Sequence, residues 1–402
     1  MCSEIYCKWM KTENNTKKKV LIFSTAYLPF VGGAEVAVKE ITDRLGDDFE
    51  FDLITAQLDK SLPKKERIGQ VMVYRIGIGK PLLDKFFIPY FAAVKAWKLN
   101  KIQEYFCFWG MMATYPVGGA YIVNIIRRLL GRKKIPMILT LQEGDSEAHL
   151  KFKWFGLITL SWKLALRQTD ILTGISNFLL HRAEKKGYKG KSVLIPNGVD
   201  VSLFTKDIAE YDKEKLKQEL GKKGNDIFLV TVSRLSHKNA VDDIISALKI
   251  LPEHISLIII GKGKEGSNLQ KQAEELGVEA RVKFVGFIPY EKLPEYLSVC
   301  DIFIRPSRSE GFGNSFIEAM AAGVPVIATP VGGIPDFLDD KETGIFCSPD
   351  NPKSIAEAVN LILSDSSLKQ KIIYQAKERV TEGYNWQSLA QKMKIEIFDR
   401  IV

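Results

Sequence analysis

The sequence predicts an α/β protein made of two doubly wound domains joined near residue 200, and three observations lead there. Short apolar runs of strand length alternate with longer amphipathic stretches, which implies βαβ units and a parallel sheet. The alternation pauses once, at 194–204 (L-I-P-N-G-V-D-V-S-L-F), where Pro and Asn-Gly mark a turn-rich connection, and then resumes. At 402 residues the chain is also too long for one typical domain.

Taken in order, 19–24 (K-V-L-I-F-S) reads as a buried strand. The turn 29–33 (P-F-V-G-G) follows, and then a helix from about Ala34 to Leu45. Further short strands are expected at 51–55, 71–74, 137–140 and 171–175, with room for helices between them. After the polar stretch 206–224, a second series has strands at 227–232, 255–260, 282–285, 302–304 and 324–328. Amphipathic helices fit at 241–251 and 355–363. Near the C-terminus Trp386, Leu389, Met393 and Ile397 are spaced by three and four, so they form one apolar helical stripe that needs a surface to cover. Residues 1–18 are polar and are expected to be a disordered leader.

A hydrophobic content of 46% and a charged content of 26% fit a globular protein with a large core and argue against a disordered or fibrous one. Cys2, Cys7, Cys107, Cys300 and Cys347 show no metal-like spacing, and a reducing compartment is the default. The N-terminus has no apolar signal-peptide core, and no apolar run is long enough to span a membrane. A cytoplasmic protein is therefore expected. Residues 1–200 carry 31 Lys and Arg against 19 Asp and Glu, while 201–402 carry 26 against 29. The first half is thus the one suited to an anionic partner. Within it, 82–101, 127–134 and 151–167 mix Lys and Arg with Phe, Trp and Leu, a pattern shared by core helices with lysines on the surface and by basic helices lying on an anionic membrane.

The densest chemistry lies in 307–329 (S-R-S-E-G-F-G-N-S-F-I-E-A-M-A-A-G-V-P-V-I-A-T). Glu310 and Glu318 bracket the loop Gly311, Phe312, Gly313, Asn314, whose backbone N–H groups, with the helix start beyond, suit an anion. Carboxylates suit sugar or ribose hydroxyls, which donate hydrogen bonds to them. A ligand carrying phosphates and hydroxyls together, such as a nucleotide-sugar, matches both. Ser315 and Glu318 also spell a capping box, which would employ Glu318 on its own helix. Arg234 and Lys238 follow the strand 227–232, at the strand edge where open α/β sheets bind ligands, and together they match a diphosphate. Gly33 and Gly261 each follow a strand, where glycine permits close backbone approach or simply makes a turn. There is no G-x-G-x-x-G fingerprint, Walker A loop or nucleophile elbow, no D-x-D pair for a metal-bridged diphosphate, and no ligand spacing among the four histidines.

With these motifs assembled, the chain resembles the retaining family-4 glycosyltransferases of the GT-B fold. The resemblance rests on P-F-V-G-G-A-E (29–35), L-I-P-N-G-V-D (194–200), S-R-L-S-H-K (233–238), I-I-G-K-G (259–263), F-V-G-F-I-P (284–289) and, most specifically, the E-x7-E segment 306–329. It implies two Rossmann-like domains facing a cleft, with 19–200 and the C-terminal helix 384–402 forming the acceptor domain and 204–383 the nucleotide-sugar donor domain. The C-terminal helix is expected to cross back to the first domain. By the same resemblance Glu310, Arg234 and Lys238 form the catalytic group. Gly33, Gly261, Gly311, Phe312, Gly313, Asn314, Ser315 and Glu318 would bind the donor. Many relatives carry a histidine after the strand 137–140; here Gln142 stands there and cannot take a proton, which leaves Gln142, Glu143 and Asp145 as acceptor or sugar contacts.

The implied reaction moves a sugar from a nucleoside-diphosphate sugar to a saccharide or lipid-linked saccharide, with retention, no metal and no cofactor. The implied partners are donor, acceptor and an anionic membrane surface at the inner face, with no nucleic acid. A GT-B epimerase and a sugar-nucleotide-binding protein without turnover are the alternatives.

Overall fold

A computed structural model describes residues 17–113, 115–142, 144 and 157–401. Two sheets carry the molecule. The first is built from Lys18–Phe23 (β1), Phe49–Ala56 (β2), Lys65–Ile68 (β3), Val71–Ile76 (β4), Cys107–Met111 (β5), Met137–Leu141 (β6), Ile171–Gly174 (β7) and Lys191–Leu194 (β8). The second is built from Ile227–Val232 (β9), Ile255–Ile260 (β10), Val282–Gly286 (β11), Ile302–Arg305 (β12), Val326–Ala328 (β13) and Ile345–Phe346 (β14). Their orders are β3-β4-β2-β1-β5-β6-β7-β8 and β11-β10-β9-β12-β13-β14. In both, the order reverses beside the first strand of the series, so each is a doubly wound sheet with its switch point next to β1 or β9.

Every pairing among the described strands is parallel except one: β3 runs antiparallel to β4, with Lys65 opposite Tyr74. That edge was not foreseen in an all-parallel reading. Its charged sequence K-E-R-I alternates half-buried and exposed, as expected of a strand with one neighbour. The central strands are buried on both faces; Val20, Leu21, Ile22 and Phe23 have no solvent contact. Helices cover the faces, and the pair Pro81–Ile102 and Val117–Leu129 packs unusually close. A Cβ at Gly119 would sit 2.6 Å from that of Ala92, so glycine is what lets the two backbones meet.

The anticipated helix at 241–251 ends at Leu248, because Pro252 has no N–H to give the Leu248 carbonyl and disfavours helix in the residue before it. Arg281 donates to Leu248 O, Leu251 O, Pro252 O and Ile255 O, satisfying acceptors that a helix end leaves open. The strand anticipated at 324–328 starts at Val326, since Val324 and Pro325 complete the turn out of the preceding helix. Lys18, assigned to the leader, already opens β1; residues 1–16 lie outside the described residues.

The apolar stripe at the C-terminus does cross back. The helix Trp386–Met393 and the π turn Lys394–Phe398 lie against the helix Gly33–Leu45 of the first sheet, burying Trp386, Leu389, Met393 and Ile397. Phe398 ends 4.9 Å from Phe49 and 5.7 Å from Trp109, ring centre to ring centre. The chain thus completes the first domain with its last residues. Truncating Trp386 to Ala removes the largest buried side chain of this patch and is expected to cost roughly 3–5 kcal/mol, read as a lower urea midpoint; a midpoint unchanged from wild type would mean that the crossing helix contributes no docking energy.

Candidate active site

The C-terminal edges of both sheets point toward each other, and the loops leaving them enclose a cleft of about 1040 Å³. From the first sheet the cleft receives Gly32, Gly33 and Glu35 after β1, Gln142 and Gly144 after β6, and Asn197 after β8. The second sheet contributes Arg234 to Asn239 after β9, Arg305 at the end of β12, and Ser309 to Ser315 and Glu318 beyond it. Of the residues singled out in the sequence, Gly33, Gln142, Arg234, Lys238, Glu310, Gly311, Phe312, Gly313, Asn314, Ser315 and Glu318 all line this one cavity. Gly261 does not. Its φ is +135°, and a Cβ there would collide with the Ser233 carbonyl, so this glycine serves the packing of the β10 turn on the β9 turn. Glu143 and Asp145 fall outside the described residues.

The loop 310–314 is shaped by what each residue does. Phe312 turns its ring inward, 5.1 Å from Phe337 and 5.7 Å from Tyr384, which anchors the loop from behind. Gly313 caps the helix Asn314–Ala321 at φ +95°, a conformation that strains any residue with a side chain. The capping box spelled by Ser315 and Glu318 does not form: the helix begins one residue earlier and its cap makes no side-chain bond. Ser315 Oγ instead accepts from Arg305 Nη1 at 2.9 Å, and Glu318, buried on the same helix, faces the cleft. Burial pushes the Glu318 carboxyl up to about 7, with the Arg305 guanidinium pulling the other way. Glu310 Oε1 accepts from the Gly311 amide at 3.0 Å, and Oε2 pairs with Arg305.

The basic loop is held by a neighbour. The Arg308 amide donates to Lys238 O at 2.8 Å, and its guanidinium donates to His237 O at 2.8 Å while pairing with Asp242, Asp243 and Asp350. Asn239 Nδ2 closes the turn on Arg234 O at 2.6 Å. Arg234 and Lys238 are therefore carried on a braced turn at one end of the cavity, with the two glutamates in the same wall. Across the gap, Glu35 is raised above the usual carboxylate range, first by burial, with Arg234 opposing the shift.

Three amides join the domains. Asn197 Nδ2 donates to Asn314 Oδ1 at 3.0 Å, and Gln142 Nε2 donates to Asn197 Oδ1 at 3.2 Å. Gly33 lies beside them; a Cβ there would be 3.2 Å from Asn197 Nδ2. The Ser309 hydroxyl adds a bond to Gly144 O at 2.9 Å. Sequence reasoning passed over Arg305, Asn197 and Arg308. Arg305 had a readable signal: an arginine closing the apolar strand I-F-I-R must be buried and therefore paired. Asn197 sat inside a turn already explained by its Asn-Gly, and Arg308 stood inside the quoted segment with no role assigned.

Comparison with known proteins agrees with this geometry. Residues 31–203 match the family described as Glycosyltransferase Family 4, and residues 212–379 match Glycosyl transferases group 1. The chain is 27% identical over 398 residues to an uncharacterised glycosyltransferase of Methanocaldococcus jannaschii, covering 93% of this chain and 96% of that one. It is 25% identical over 390 residues to the N-acetyl-alpha-D-glucosaminyl L-malate synthase of Bacillus anthracis, covering 95% and 97%. Among solved structures, Anabaena HepE in complex with UDP and glucose superposes with a TM-score of 0.75 at 22% identity, over 95% of this chain and 100% of that one. At that identity the likeness is one of fold.

Proposed function

Because the chain belongs to the family-4 glycosyltransferases of the GT-B fold, we propose that it is a retaining enzyme. In this reading it moves a sugar from a nucleoside-diphosphate sugar to a saccharide or lipid-linked saccharide, without a metal ion. One observation carries the reading: two cations, two carboxylates and the N-terminus of the helix Asn314–Ala321 converge on a single cleft between two sheet edges. Each matches one part of such a donor. Arg234 and Lys238 meet the diphosphate. The amides of Phe312 to Ser315 and the helix end add partial positive charge beside it. Glu318 accepts from the ribose hydroxyls, and Glu310 from the sugar hydroxyls near the reacting carbon.

In the transfer, the bond between the sugar C1 and the diphosphate oxygen breaks, and its electron pair leaves with the phosphate. The acceptor hydroxyl bonds to C1 from the same face and passes its proton to the departing phosphate oxygen. Charge develops on the leaving group, so pre-placed cations and amides stabilise the transition state more than the ground state. Closing the two domains excludes water, which would otherwise intercept the sugar. Gln142, bonded to Asn197, holds the place of a histidine in many relatives and serves as a donor and acceptor for sugar hydroxyls.

A lipid-linked acceptor is supported by the outer face of the first domain. On the neighbouring helices Pro81–Ile102, Val117–Leu129 and Leu157–Gln168 and the turn after the second, Phe87, Tyr90, Val94, Leu129, Leu130 and Leu160 are exposed, as are Arg128, Lys133 and Lys163. Apolar side chains rimmed by cations suit an anionic membrane interface. Among the described residues no helix is long and apolar enough to cross a membrane.

Two measurements test these readings. Glu310→Gln is expected to lower transfer by at least about 10²-fold while nucleoside-diphosphate binding persists, and the product's anomeric proton signal should show retention; transfer that survives the substitution, or an inverted product, overturns the assignment. Co-sedimentation with vesicles should rise with phosphatidylglycerol content and fall with salt; binding indifferent to both removes the membrane surface as a partner.

A further inference from the structure

β12 presents an anomaly in the donor wall. Ile302, Phe303 and Ile304 are fully buried between β9 and β13, as a central parallel strand demands, yet the next residue is Arg305, itself only 8% exposed. A cation in such a place needs partners that are worth its desolvation. It has four. Nε faces Ser307 Oγ at 3.2 Å, Nη1 donates to Ser315 Oγ at 2.9 Å, and Nη2 pairs with Glu310 Oε2. The plane lies over the Phe316 ring, 4.9 Å from its centre. Both Ser315 and Phe316 belong to the helix that carries Glu318.

We propose that Arg305 is the positioning residue of the donor site, bracing Glu310 through its guanidinium fork and standing as the internal counter-charge to buried Glu318. This rests on reading the cleft as a nucleotide-sugar site. The charges explain why such a residue is required. Glu310 and Glu318 are 7% and 8% exposed, so two carboxylates share a nearly dry wall. Burial favours the protonated form of such a carboxyl, and a cation beside it opposes that. A protonated carboxyl accepts hydroxyl hydrogen bonds poorly. Arg234 and Lys238 line the same cleft but belong to the diphosphate in this reading, so they cannot also serve as internal counter-ions once the donor is bound. Arg305, in contrast, stays with the protein.

The ionisable groups around Glu318 are few. Arg305 approaches from β12, Glu310 from the loop after it, and Tyr290 from the turn after β11. The Tyr290 hydroxyl is raised by burial first and then by Glu318, so it remains neutral and leaves Arg305 as the adjoining positive charge in that wall. Arg305 pulls the Glu318 carboxyl down against the desolvation that raises it. Above about pH 7 Glu318 is then an acceptor for ribose; below it, the proton occupies that place. Removing Arg305 takes away the lowering influence, so the midpoint moves to higher pH.

The test follows that proton directly. Full-length protein labelled with 13C at the glutamate carboxyls is titrated from pH 5 to 9, and Glu318 is assigned by the signal that Glu318→Gln removes. Arg305→Gln should move the Glu318 midpoint upward by about 1–3 pH units, as loss of an adjacent opposite charge does. The low-pH fall-off in UDP, GDP or ADP binding should move upward by the same amount. Arg305→Lys keeps the charge but not the fork, so its midpoint should stay near wild type while transfer falls at every pH. If Arg305→Gln does not fold, judged by circular dichroism and melting, the lysine variant carries the test alone. An unmoved midpoint in folded Arg305→Gln overturns the proposal, and so does wild-type transfer in Arg305→Lys. The titration needs no ligand, so if none of the three nucleotides binds, the donor-site reading falls while the role of Arg305 in ionising Glu318 is still decided.

Discussion

The cleft exists because two loops meet with no room for side chains. Gly144, after β6, lies against Gly311, after β12: a Cβ on Gly311 would be 3.1 Å from the Gly144 Cα, and one on Gly144 would strike the Gly311 amide. The Ser309 hydroxyl bonds across the same seam to Gly144 O. This backbone contact sets how closely the two sheet edges approach, and through it the width of everything beside it. Gly33 can then face Asn314 across the gap, where Asn197, held by Gln142 on its own side, donates a hydrogen bond to Asn314 on the other. Polar bonds of this kind can be replaced by bonds to water at little cost.

Within that frame the cations and the carboxylates stand on different supports. Lys238 and Arg234 stand on a turn that Arg308 pins to three aspartates, and burial raises one of these, Asp243, to about 6. The carboxylates stand on the wall of the next crossover, around Arg305. The cations and the carboxylates thus come from separate strand ends, after β9 and beyond β12.

Much of this was legible before any coordinates. Strands such as 227–232 and 255–260 are continuous apolar runs because parallel sheets bury both faces, and their bounds agree with β9 and β10. The Trp386 stripe demanded a partner surface, and the family resemblance named which one. The elements that escaped are those whose identity comes from neighbours. β8 has only two apolar residues in K-S-V-L, and β3 is charged; both are strands because β7 and β4 offer free edges. β5 mixes Cys, aromatics and Gly110, whose missing side chain makes room for Val117. At the site, Glu310, Glu318, Arg234 and Lys238 were visible as strand-end chemistry. Asn197 was not, because its partner Asn314 is 117 residues away. Gly261 was read as a nucleotide contact because a strand-end glycine has the same spelling whether it faces a ligand or, as here, the backbone of a neighbouring turn.

The central claim is that this cleft holds a nucleoside-diphosphate sugar by protein charges alone. Titration calorimetry with UDP, GDP and ADP, each in EDTA and again in Mg2+, addresses it most directly. The account predicts one nucleotide class bound at a single site per chain, with affinity unchanged by the divalent ion. No binding by any of the three, or binding that appears only with Mg2+, would contradict it.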